Sequence, residues 1–361
     1  MGKVDYLNIP TMVIFLLVLA VLAIVLNSLC IYIIMTTKKL MQRNSTLILL
    51  NLLVVHLFQG FLVLPFYAGK KIKLENFVTA QIFANGFRFT YMLTFYGACL
   101  GILLVAIDRM LATHLLTKYK TIVTRKRVKI ALCVFWVYVI GLCLIPFIDT
   151  EGPILKTKFN AVTNSTVPTS TEKPKFYVYS QQREWVLFML TVNTALPYVL
   201  IVVCYTYIAC KLTRLQSFQA VSPSGKRSKY AVAMLKQEPD DSRPLKKKDV
   251  EKHKQVTKLT FILTIIYGLF WTPSIIYYPL KEDCKSCFPD NYEDSELEQY
   301  IGFITKYLAF LDAAAAPMVY CFMHREFQKS LERIKSKLLR LPLPELEQGM
   351  TVSTNDTTML H

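Results

Sequence analysis

Seven apolar stretches, each long enough to cross a bilayer, run along this chain and are separated by charged segments. They lie near Thr11–Met35, Thr46–Tyr67, Gly86–Leu111, Val128–Phe147, Trp185–Cys210, Leu259–Tyr278 and Tyr300–Phe322. A hydrocarbon core of about 30 Å takes about 20 apolar residues to cross as a helix. Within it only helices and closed barrels satisfy their backbone, and unbroken runs of this length mean helices. The expected fold is therefore an all-α membrane protein, a seven-transmembrane helix bundle.

The net charge of +17 would suit a nucleic-acid partner, but its distribution argues against one. Basic residues cluster in alternate loops: Lys38, Lys39 and Arg43 after the first span, Lys118 to Lys129 after the third, and Lys226 to Lys248 after the fifth. The same holds after the seventh, with Arg325, Lys329, Arg333 and Lys335. The positive-inside rule puts those segments in the cytoplasm and the N-terminus outside. The expected order is an extracellular N-terminus over 1–10, a membrane domain over 11–323 with a disordered cytoplasmic loop at 212–253, and a tail over 341–361. Between membrane domain and tail, residues 324–340 place Phe327, Leu331, Ile334 and Leu338 on one face and bases on the other. That pattern fits a short C-terminal interfacial helix. Asn164, in Asn164-Ser165-Thr166, is a glycosylation acceptor on the predicted outer side.

Several side chains within the spans form a series. Asp108-Arg109-Met110 ends the third span, Trp136 sits in the fourth, and Pro197 with Tyr205 in the fifth. The sixth carries Phe270-Trp271-Thr272-Pro273 and the seventh Ala316-Pro317-Met318-Val319-Tyr320, while Asn27 and Asn51 stand in the first two. In order, host helix and depth this series resembles the rhodopsin-like (class A) G-protein-coupled receptors, over nearly all of 11–340. The resemblance implies that Asp108 holds Arg109 while the receptor is closed, and that Arg109 turns toward Tyr205 and Tyr320 when it opens. An intramembrane proline frees a carbonyl and makes a hinge, so Pro273 and Pro317 are expected pivots, with Trp271 above the first. The implied partners are an extracellular ligand, a heterotrimeric G protein, arrestin and receptor kinases, at the plasma membrane and with no nucleic acid.

The chain also departs from that family's pattern. The cysteine that ties the family's third helix to its second outer loop falls on Ala84, and 149–184 holds no cysteine. Cys284 and Cys287 in the third outer loop have the spacing of a short local disulfide, with free thiols as the alternative; too few further ligands exist for zinc. The family's sodium site is rewritten: its acid is His56, two oxygen ligands become Ala98 and Ala316, and Asp312 appears one turn before Ala316. Intramembrane ionisable groups are costly and pair, so His56 and Asp312, on facing helices, are expected to form a polar core in place of the ion. The acid expected across from Arg109 falls on His253, which implies high basal activity.

The ligand is less legible. Tyr91 replaces the acid that binds biogenic amines, and Phe310 the lysine that binds retinal. Arg88 and Lys306, with Tyr91, Phe95, Tyr277 and Tyr278 around them, make a candidate pocket for a small anionic or lipid-like molecule. Pairing of the two bases with the acidic third outer loop is the competing use. The expected function is transduction of an extracellular signal to G proteins. A ligand-scavenging or arrestin-biased receptor is the alternative, and a transporter lacks its inverted repeat and broken helices. No nucleophile motif, phosphate loop, metal cluster or cofactor signature points to an enzyme.

Overall fold

The computed structural model describes residues 8–72, 77–115, 118–145, 156–160, 165–170, 183–220, 247–289, 292, 295–323 and 325–339. Asn164 and the tail over 341–361 lie outside them. Seven helices are long and apolar enough to span a membrane: α1 Ile9–Thr36, α2 Asn44–Lys71, α3 Val78–Leu115, α4 Arg125–Leu144, α5 Leu187–Thr213, α6 Gln255–Lys281 and α7 Glu296–Met323. An amphipathic helix, α8 (Arg325–Leu339), follows. The one departure from an all-helical chain among the described residues is an antiparallel hairpin, β1 (Lys156–Asn160) with β2 (Ser165–Ser170), between α4 and α5.

Helix α1 shows how lipid and core divide an apolar sequence. Leu16, Ala20, Ala23, Asn27, Cys30 and Ile34 recur every three or four residues and are buried, while Leu17, Val18, Val21 and Val25 are exposed. A helix apolar all round fits here because its outward face meets lipid rather than water. In α8, Phe327 and Ser330 are buried, and Thr37 donates to Ser330 Oγ at 3.0 Å, fixing the interfacial helix to the end of α1.

Two spans widen before a proline. Gln59–Val63 in α2 and Thr191–Ala195 in α5 are π-helical turns, each followed within two residues by Pro65 or Pro197. Each proline ring would strike the carbonyl four residues back, Phe61 or Asn193, and the wider turn makes room for it.

The outer ends of α2 and α3 interlock reciprocally. The Phe83 ring fills the notch at Gly69, where a Cβ would lie 2.2 Å from a ring carbon, and Phe66 fills the notch at Gly86, at 2.5 Å. The two rings meet edge-on at 6.0 Å. This contact holds the outer end of α3, where the family's disulfide is absent. Cys284 and Cys287 are bonded to each other, and the other seven cysteines are free.

The helices enter the segment between the fifth and sixth spans further than the 212–253 boundary anticipates. The helix of α5 continues to Ala220 and that of α6 begins at Lys247. Once nucleated, a helix adds one hydrogen bond for each residue it fixes, so spans propagate past the apolar run that starts them.

Candidate functional site

At the inner end of the bundle, Asp108 and Arg109 are each only 4% exposed and form an ion pair. Arg109 Nε donates to Asp108 Oδ2 at 3.0 Å, and its terminal nitrogen donates to the same carboxylate and to Ser45. Tyr119, on the helical turn Tyr119–Ile122, donates to the other carboxylate oxygen and lies 3.1 Å from Ser45 Oγ. A buried ion pair is tolerable only when its remaining donors and acceptors are satisfied, and Ser45 and Tyr119 satisfy them here. Burial first, then Asp108, push the Tyr119 phenol above the usual tyrosine range, so it remains a donor at physiological pH.

Neither tyrosine expected to receive Arg109 hydrogen-bonds to it. Tyr205 accepts from Thr264 on α6 at 3.2 Å and meets Phe261 edge-on. The Tyr320 hydroxyl is buried with no hydrogen-bond partner. His253 falls on the inner end of α6. There Gln255 Nε2 donates to the Met323 carbonyl at 3.1 Å, tying α6 to α7.

The outer half of α6 is also held to α7. Ser274 donates to the Thr305 carbonyl at 2.7 Å, Tyr278 to the Gly302 carbonyl at 2.8 Å, and Lys281 pairs with Glu298. This antiparallel ladder runs outward from Pro273. On the inner side of the proline α6 is tied by Gln255 to Met323, by Thr264 to Tyr205 and by Trp271 to Asp312, so Pro273 stands between two fastened halves, where a missing backbone hydrogen bond makes a hinge.

Midway through the bundle, His56 Nε2 lies 3.2 Å from Asp312 Oδ2, both side chains being almost fully buried. Trp271 Nε1 donates to the same oxygen at 3.1 Å. Asp312 thereby links the base of α2, the indole of α6 and its own helix α7. Pro317 has no N–H for the Ala313 carbonyl, and Asn27 Nδ2 takes that acceptor at 2.8 Å. Trp136 donates to Asn51 Oδ1 at 2.8 Å, fastening α4 to α2.

Above this core stands a column of rings. Tyr91 packs against Phe87 at 5.4 Å, Trp271 at 5.9 Å and Phe310 at 6.2 Å, and Phe95 packs against Trp271 at 4.9 Å. Tyr67 stacks on Phe87 at 4.7 Å and caps the column. Lys306 Nζ lies over the Tyr278 ring at 4.6 Å and the Tyr67 ring at 5.6 Å. Arg88 is half-buried on α3. Tyr277 turns elsewhere: its hydroxyl is 3.3 Å from that of Tyr292 and its ring is edge-on to Phe288, so the third outer loop occupies it. Tyr91, Phe95, Tyr278 and Lys306 thus gather around one column, and Tyr277 meets its edge through the Tyr278 ring, edge-on at 5.0 Å. Tyr67, which sequence reasoning missed, is the residue that joins them.

A family model, 7 transmembrane receptor (rhodopsin family), matches residues 26–320. Growth hormone secretagogue receptor type 1 of Sus scrofa is 22% identical over 277 residues, covering 76% of this chain and 67% of that receptor. The alpha-1A adrenergic receptor of Homo sapiens is 23% identical over 299 residues, covering 79% of this chain and 59% of its own length. The chain therefore spans only about three fifths of the adrenergic relative. Squid rhodopsin superposes with a TM-score of 0.63 at 15% identity, covering 93% of this chain and 89% of that one. Sequence and architecture agree that the chain belongs to the rhodopsin family of seven-transmembrane receptors.

Proposed function

We propose that this chain is a plasma-membrane receptor, N-terminus outside, that passes the binding of an extracellular ligand to heterotrimeric G proteins, with Arg109 as the coupling residue. The observation that carries this reading is Arg109 itself: a buried base held by Asp108, Ser45 and Tyr119 beside a helix with a central proline. A ligand pressing on the ring column displaces Tyr91 against Trp271. Moving Trp271 breaks its bond to Asp312 and loosens the tie between α6 and the His56–Asp312 pair. The inner half of α6 then swings about Pro273 and clears the space into which Arg109, leaving Asp108 and Ser45, turns toward Tyr205 and Tyr320. The opened cleft accepts a helix of the G protein, a helix-in-groove contact. The ligand drives this by binding the open state better than the closed one.

Two refinements follow from the residues. Arg109 meets Ser45 rather than a second acid, which weakens the closed state and supports substantial ligand-free signalling. His56 Nε2 reaches Asp312 directly where the family places sodium, so this receptor needs no sodium to stay closed.

The test is guanine-nucleotide exchange on a panel of purified G proteins, with the receptor in lipid nanodiscs. Wild type should accelerate exchange on at least one, and Arg109→Ala should not, at equal surface expression. Equal exchange by both would reject the coupling reading in favour of a scavenging or arrestin-directed receptor.

A further inference from the structure

We infer that Lys306 is an anion-binding residue at the outer end of the ring column and that the ligand is a small carboxylic acid with a flat apolar body. This deepens the receptor reading by naming the ligand class.

Lys306 stands ten residues into α7, which starts at Glu296, or about 15 Å along the helix axis. Its ammonium meets only ring faces, Tyr278 at 4.6 Å and Tyr67 at 5.6 Å, and makes no hydrogen bond or ion pair among the described residues. The acid on its own helix, Glu298, is engaged by Lys281. Two more ammonium groups crowd the same stacked rings: Lys70 lies 5.2 Å from the Phe87 centroid and Lys71 5.7 Å from that of Tyr67. Ring faces soften the Lys306 charge but do not neutralise it, and the nearby Lys70 ammonium adds like-charge repulsion. An anion placed among them would relieve both costs.

The rings next to Lys306 specify the rest of the ligand. From Lys306 the column descends through Tyr67, Phe87 and Tyr91 to Trp271, and offers ring faces and edges with few polar atoms. A carboxylate on Lys306 puts an attached apolar body along that column, in contact with the residue that presses on Trp271. The ligand's charge then gives orientation, and its body gives the push.

The experiment compares 2-naphthoate with 2-naphthamide, a neutral molecule of nearly the same shape. Both bind, or fail to bind, the purified full-length receptor in phosphatidylcholine nanodiscs, where no anionic lipid competes. The acid should bind roughly tenfold tighter than the amide or more, as a charged hydrogen bond allows. Lys306→Met should erase that preference while keeping amide binding, which also reports that the variant is folded. Lys306→Arg should retain the preference, and so should Lys281→Met. As a second measurement on wild type, 13C-dimethylated lysines should show one signal that moves with the acid and is missing in Lys306→Arg. Equal affinity for acid and amide, a preference that survives Lys306→Met, or no saturable binding of the acid would each overturn the proposal. No arm uses a G protein, so failure here leaves the Arg109 exchange experiment standing, and the reverse also holds.

Discussion

Replacing His56 with aspartate should convert a sodium-indifferent receptor into a sodium-dependent one. In the native core the imidazole reaches Asp312 directly, with Nε2 3.2 Å from Oδ2, and no ion is needed between them. An aspartate side chain is shorter than the imidazole, so His56→Asp would set two carboxylates face to face across a small gap. At a separation of about 5 Å and an effective dielectric constant of about 20, two such charges repel by about 3 kcal/mol. One remedy is a cation between them, and an ion present at about a hundred times its dissociation constant contributes about 2.7 kcal/mol. Repulsion and remedy are of similar size, so stability should depend on which salt is present. The assay is thermal unfolding of the purified receptor in sodium chloride and in N-methylglucamine chloride at equal ionic strength. Wild type should unfold at the same temperature in both, and His56→Asp several degrees higher in sodium. A wild type that is itself stabilised by sodium, or a variant indifferent to the cation, would refute the claim that His56 takes the place of the ion.

Three further outcomes are expected. Gly86→Ala should lower thermal stability by about 1–3 kcal/mol through overpacking against Phe66, and adding Phe66→Leu should recover part of the loss; unfolding midpoints of the single and double variants check this. Tyr119→Phe removes a donor from Asp108 and should raise ligand-free nucleotide exchange up to about fivefold, for a hydrogen bond of about 1 kcal/mol; unchanged basal exchange would count against a role for Tyr119 in the closed state. His253→Glu, which adds an acid at the inner end of α6, should lower ligand-free exchange by a similar factor, and the same assay would register the opposite result.

The spans are legible in the sequence because each is a run of about 20 apolar residues with a single physical explanation. Asp108, Arg109, Trp271 and Pro273 stand out in the sequence only as a series, whose order, host helix and depth resemble the receptor family's; a lone Arg at a helix end reads equally well as a snorkelling side chain. The closeness of His56 and Asp312 follows from the cost of leaving either alone in hydrocarbon. Ser45 and Tyr119 carry no such signal: they meet Arg109 and Asp108 across 64 and 11 residues, and nothing in a lone serine or tyrosine announces that contact. Tyr277 and Tyr278 show another limit. Adjacent helical residues point about 100° apart, so a pocket assigned by sequence neighbourhood takes in both, whereas only Tyr278 lies beneath Lys306. Tyr67 was hidden for a similar reason, since its ring contacts come from α3 and α7. The reciprocal fit of Gly69 and Gly86 depends on helix register, which composition does not encode.

The central claim is that the inner half of α6 moves to expose Arg109 to a G protein. A distance between spin labels at Lys126→Cys on α4 and Lys258→Cys on α6, both exposed positions, measures it directly. The exposed free thiols Cys133 and Cys210 would first be changed to serine. The account predicts that the distance lengthens when a nucleotide-free G protein binds, and that Arg109→Ala abolishes this lengthening. An α6 that keeps its distance in the wild-type complex would contradict it.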